Sequence, residues 1–123
     1  MRALLYPDWD RLEVTDLPEP VAGDGEVVVR VAACGICGSE LETFASRSSR
    51  RTPPLVMGHE FCGYIESGKA DGFTKGSRIV CNAIVHCGVC LNCRAGRTQL
   101  CLNRQVFGMH RPGAFAELVT APA

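Results

Sequence analysis

The chain has 123 residues, enough for one domain with a real core but short for an enzyme that also folds a dinucleotide-binding unit. Thirteen basic residues against thirteen acidic ones leave no net charge, which argues against a nucleic-acid or other polyanionic partner. Charged residues interrupt every apolar run well before the ~20 residues a membrane helix needs, and Met1 to Asp8 meets an acid and a proline too early for a signal peptide.

In chain order, Arg2 to Tyr6 and Arg11 to Leu17 read as a hairpin joined by Pro7-Asp8-Trp9-Asp10 and closed by Pro18 and Pro20. After Ala22-Gly23-Asp24-Gly25, the β-branched run from Glu26 to Ala33 predicts a strand with Val27, Val29 and Val31 on one face. Ser39 stands where an N-cap is expected, ahead of a short helix over Glu40 to Phe44. The basic run Arg47-Ser48-Ser49-Arg50-Arg51 reads as a solvated loop. Strands are expected over Phe61 to Glu66, Arg78 to Ala83 and Ala114 to Thr120, with turn-rich or irregular chain between them. Many short strands with Gly and Pro punctuation and little helix predict a mostly-β barrel or sandwich. No G-x-G-x-x-G follows a strand, so no dinucleotide fold is expected inside these residues.

Between these strands lies the densest chemical signal, Cys87-Gly88-Val89-Cys90-Leu91-Asn92-Cys93 followed by Cys101. Four thiols so close together read as a tetrahedral zinc clamp with no open position, structural rather than catalytic. A disulfide pair or a [4Fe–4S] cluster also accommodates four cysteines. Eight cysteines without a secretion signal fit a reducing cytoplasm and metal ligation better than a secreted disulfide scaffold. Two other stretches offer ligands in loop positions: Cys34-Gly35-Ile36-Cys37-Gly38-Ser39-Glu40 and Gly58-His59-Glu60. A thiolate and an imidazole from separate segments are the parts of an open, catalytic zinc site, with Glu60 beside the metal or on it. Glu40 is then a candidate to fix the tautomer of His59, and Ser39 to pass a proton to or from a metal-bound oxygen. A Cys-x-x-Cys pair also serves as a redox dithiol.

Taken in order, Cys34 to Glu40, Gly58-His59-Glu60-Phe61, the four-cysteine segment and Gly113-Ala114-Phe115-Ala116-Glu117 resemble the zinc-dependent medium-chain alcohol dehydrogenases, in their sorbitol and threonine dehydrogenase-like branch. The resemblance spans nearly the whole chain and implies a GroES-like β-barrel catalytic domain with zinc in the lobe. It implies that Cys37, His59 and Glu60 hold or border a catalytic zinc, that Ser39 hydrogen-bonds the substrate alcohol, and that Cys87, Cys90, Cys93 and Cys101 hold the structural zinc. His110 matches a histidine of that branch near the active-site cleft. The implied reaction is oxidation of an alcohol, polyol or related hydroxy compound by hydride transfer to NAD or NADP. Small-molecule substrates and a cytoplasmic location go with it, and a homo-oligomer is left open.

Three departures stand out. Glu40 replaces the usual aspartate, Glu42 stands where many members carry a relay histidine, and Gly76-Ser77-Arg78-Ile79 replaces Gly-Asp-Arg-Val. The NAD(P)-binding Rossmann domain of the family is expected to be absent from residues 1–123, leaving the chain alone without turnover. The alternative is a non-enzymatic zinc-binding or partner-binding module that keeps the barrel. Cys62 and Cys81 read as buried small hydrophobes within strands, and Trp9, Phe61, Phe73, Phe107 and Phe115 as packing residues.

Overall fold

The computed structural model describes residues 1–69 and 71–123. The hairpin forms as expected: β1 (Arg2–Asp8) pairs antiparallel with β2 (Arg11–Asp16). Asp10 takes the positive φ of 58° that the tight reversal needs. β3 (Glu26–Gly35) is the central element, and β4 (Leu55–Val56) lies on the free side of β1. β5 (Glu60–Gly68), β6 (Arg78–Val80) and β9 (Leu118–Pro122) complete a second sheet of order β6-β5-β3-β9, antiparallel throughout. Among the described residues the fold is mostly β with two short helices, in line with the composition of the sequence.

The core forms where β3, β5 and β9 meet, from Val27, Val29, Phe61, Ile65, Phe107, Ala114, Val119 and Ala121. Phe61 and Phe107 meet edge to face with ring centroids 5.2 Å apart, a geometry worth about 0.5–1.5 kcal/mol beyond simple burial. The expected alternation along β3 holds for Val27 and Val29, but Val28 is equally buried. β3 runs inside its sheet and both of its faces are covered at that end, so a strict in-out pattern does not apply. Register shifts against β5 lie between Val28 and Val29 and between Val31 and Ala33.

Several boundaries depart from the sequence reading. The final strand starts at Leu118 rather than Ala114, because Gly113, Ala114 and Phe115 donate their N–H groups to the carbonyls of Val56, Gly58 and Met57. That segment clamps the β4–β5 connection, and a Cβ at Gly113 would lie 2.4 Å from two of those carbonyl oxygens. The expected strand Arg78 to Ala83 stops at Val80; the chain then enters β7 (Ile84–Val85), which pairs with β8 (Gln105–Val106). These two short strands staple both ends of the cysteine lobe, whose interior holds α2 (Leu91–Arg94) and a single 3-10 turn over Thr98–Leu100. Among the described residues, no helix is long and apolar enough to cross a membrane.

Candidate metal centres

The end of β3 and the start of β5 are side by side, with Gly35 opposite Glu60 and Cys34 opposite Phe61. That pairing brings two loop segments together: the one entering α1 (Gly38–Ser46) and the one carrying His59. Ser39 is not the N-cap; Cys37 is, and Glu40, three residues on, accepts the Cys37 N–H at 2.9 Å through Oε2. The other oxygen of Glu40, Oε1, accepts the Gly58 N–H at 2.9 Å and lies 2.9 Å from Nδ1 of His59. One carboxylate, 2 % exposed, therefore ties Cys37 to His59. With Nδ1 given to Glu40, Nε2 is the ring nitrogen left to ligate. The Glu-for-Asp departure thus keeps its reach.

Gly58 makes the approach possible. Its φ is +99°, and a Cβ there would lie 2.8 Å from Phe115 and 3.0 Å from the Cys34 sulfur. Cys37, His59 and Glu60 come together with one ligand atom each, all within 4.8 Å of one another. A thiol, an imidazole and a carboxylate at that spacing suit a zinc ion that keeps a position open for an outside ligand. His59 and Glu60 line a shallow cleft of about 410 Å³ with Ala33, Val80 and Cys81. Cys34 is not in the ligand set. Burial, and next the charge of Glu40, push its thiol up to about 11.

In the lobe, Cys87, Cys90, Cys93 and Cys101 present their sulfurs within 4.8 Å of one another. The Cys90–Cys93 and Cys87–Cys101 sulfurs are 3.5 Å apart and the Cys90–Cys101 pair 4.0 Å. A disulfide needs about 2.05 Å, whereas a tetrahedron with Zn–S bonds of about 2.3 Å has edges of about 3.8 Å. The donor set fits zinc. The N–H groups of Cys87 and Asn103 point at the Cys101 sulfur from 3.3 Å each. Backbone donors at Leu102 and Cys93 draw the Cys90 thiol down to about 6, while desolvation and its contact with Cys90 push Cys93 up to about 12.

The other expected residues fall as follows. Ser39, half-buried, sits in the first turn of α1 two residues beyond Cys37. His110 joins neither cluster: it is exposed, its Nδ1 accepts the Val106 N–H at 3.1 Å, and it lines a groove of about 580 Å³ that none of Cys37, His59 and Glu60 borders. Glu42 is exposed on α1. Cys62 lies in β5 and Cys81 just past β6, both half-buried rather than buried; burial pushes the Cys81 thiol to about 11. Phe73 is 45 % exposed, not a packing residue, and Trp9 packs edge-on to Tyr6. The basic run is corrected most sharply. Arg47 pairs with Asp10, but Arg51 is 2 % exposed, its guanidinium shared among Ser39, Thr43 and Gly108.

Comparison with known proteins bears on the family and the fold. The family model described as "Alcohol dehydrogenase GroES-like domain" matches residues 23–123. The chain belongs to that family. L-threonine 3-dehydrogenase of Saccharopolyspora erythraea is 41 % identical over 116 residues, covering 90 % of this chain and 34 % of the relative. The enzyme of the same name from Serratia proteamaculans is 36 % identical over 115 residues, covering 89 % and 34 %. Among solved structures, galactitol-1-phosphate dehydrogenase from Escherichia coli superposes with a TM-score of 0.92 at 27 % identity, over 99 % of this chain and 36 % of that one. An NAD-dependent alcohol dehydrogenase superposes with a TM-score of 0.90 at 34 % identity, over 99 % and 37 %. The GroES-like barrel of the alcohol dehydrogenases is thus the fold of this chain, which spans about a third of the length of the curated relatives it matches.

Proposed function

We propose that this domain is the catalytic domain of a zinc-dependent oxidoreductase that oxidises an alcohol, a polyol or a related hydroxy compound with NAD or NADP. The observation that carries this reading is the convergence of Cys37, His59 and Glu60 in an open setting, held by Glu40, beside a closed four-cysteine lobe. Cys87, Cys90, Cys93 and Cys101 would hold a structural zinc, and Cys37, His59 and Glu60 a catalytic one. Zinc at the second site supplies Lewis acidity, which lowers the pKa of an alcohol hydroxyl. The reaction cleaves the carbinol C–H and O–H bonds: hydride goes to the oxidised nicotinamide, a proton is released, and a carbonyl remains. Ser39, two residues from Cys37, would hydrogen-bond the substrate oxygen and pass on its proton. His110, which lines a groove away from the ligand cluster, would act from there.

The nicotinamide site is assigned to a cofactor-binding unit outside these 123 residues, a reading supported by the span of about a third of each relative. Substrates are small molecules. A cytoplasmic setting suits the eight free cysteines. Metal analysis of the purified, folded protein tests the reading: about two zinc ions per chain are expected, falling to about one in Cys37→Ser. One zinc in the native protein, unchanged by Cys37→Ser, would refute the catalytic centre.

A further inference from the structure

Arg51 is a buried cation whose purpose the metal ligands do not explain. Among the described residues no carboxylate lies within ion-pair distance of it, and its donors all go to uncharged oxygens. Nε donates to the Gly108 carbonyl at 3.0 Å, and Nη1 donates to the Ser39 carbonyl at 3.0 Å and to Thr43 Oγ1 at 3.1 Å. Nη2 donates to the Ser39 hydroxyl at 3.2 Å. Burying a charge with no counter-ion is costly, and a serine beside solvent needs no such support. The chain nevertheless builds it. Arg47 ends α1 in the left-handed region at φ 51°, pinned by Asp10, and Ser48 N–H returns to the Thr43 carbonyl. The chain doubles back along the helix and delivers Arg51 to the face that carries Ser39 and Thr43, one turn apart.

The chemistry of the contact is directional. A guanidinium only donates, so Ser39 Oγ must be the acceptor in this bond. The single Ser39 proton is therefore not spent on Arg51 and stays free for another acceptor. A hydroxyl that accepts from a cation is also polarised into a stronger donor. We infer that Arg51 is a positioning residue for the reaction: it sets the Ser39 hydroxyl as a donor towards the substrate oxygen and places an unneutralised positive charge behind it as that oxygen becomes anionic. This rests on the reading of Ser39 given under Proposed function.

The test uses the zinc-loaded protein in its full natural length with saturating NAD(P)+, at fixed pH. The readout is the dissociation constant of trifluoroethanol, an alcohol that binds without being oxidised; zinc content and Tm are followed in parallel. Arg51→Gln is expected to weaken trifluoroethanol binding about tenfold with zinc content unchanged. In a Ser39→Ala background the same substitution is expected to add less than twofold, since the hydroxyl it orients is gone. If Arg51→Gln fails to fold, Arg51→Lys carries the same cycle, because lysine keeps the charge but cannot span Ser39 and Gly108 together. A loss equal in both serine backgrounds would make Arg51 merely structural and overturn the inference, as would unchanged affinity in the Arg51 variants. Unchanged affinity in Ser39→Ala alone would overturn the role of Ser39 and this inference with it.

Discussion

Glu40 shows how much one side chain decides. Its two oxygens take the N–H of Cys37, the N–H of Gly58 and the ring nitrogen of His59, from two loops 18 or more residues apart in the chain. Hydrogen bonds to a buried charged acceptor contribute about 1.5–3 kcal/mol, and orphaned buried donors cost about 1–3 kcal/mol each. Glu40→Ala should therefore destabilise the domain by about 3 kcal/mol in urea unfolding and abolish zinc at the Cys37–His59–Glu60 site, while the lobe stays loaded. Glu40→Asp should restore part of both. A variant that kept two zinc ions and lost less than ~1 kcal/mol would show that the carboxylate is dispensable. The sequence offered Glu40 as a partner of His59, and its distance confirms the pairing. The bond to Gly58 was not legible, because it depends on where β4 ends and β5 begins.

At the level of elements, the lobe and the barrel are separable. The lobe leaves the body at β7 and returns at β8, and the residues of its loop, 87–101, contribute nothing to the main hydrophobic cluster. Four sulfurs within 4.8 Å of one another would, with zinc bound, stand in for a core there. Structural zinc sites in small peptides bind with about 10–16 kcal/mol of apparent free energy. Cys93→Ala is accordingly expected to unfold the lobe and release its metal, read as lost amide protection in hydrogen exchange across 87–101. Cys37→Ala should cost the other zinc and leave exchange in β3, β5 and β9 unaltered. Equal loss of protection from both substitutions would contradict the division. The lobe also exposes Val89, Leu91, Leu100 and Leu102, so little of its apolar surface is buried.

Across the whole molecule, Arg111 ties the chain after β8 to the paired strands β3 and β9. It donates to Glu26 at 2.6 Å, 85 residues away, and to the carbonyl and hydroxyl of Thr120, with its guanidinium 5.0 Å from the Phe107 ring. The hydrogen bond from Arg111 holds the Glu26 carboxyl below its usual 4.5, against the opposing effect of burial. A lowered folded-state pKa gives stability that is fully present above about pH 4.5 and is lost as the pH falls through the folded value. Acid titration of thermal stability should show this loss below pH 4.5 in the native protein. Glu26→Gln should start less stable at neutral pH and lose less on acidification. An identical acid slope in the two proteins would remove the pair from the account.

The candidate ligands of the lobe were legible in the sequence because their signal is local: Cys87, Cys90, Cys93 and Cys101 lie within fifteen residues, close enough that little tertiary detail is needed to gather four sulfurs. The mostly-β class was legible for the same reason, since β-branched runs and turn residues act over a few positions. Strand limits were less so: Ala114 has strand composition, yet its N–H goes to Gly58. Arg51 was the plainest misreading. In the run Arg47-Ser48-Ser49-Arg50-Arg51 nothing local separates it from its solvated neighbours. Only the reversal at Arg47 and the carbonyl of Gly108, 57 residues further on, decide that this arginine is buried. Sequence by itself determined which atoms this protein has to offer a metal; the tertiary structure alone decided which charges stand behind them, because burial and long-range hydrogen bonds are properties of the packed chain.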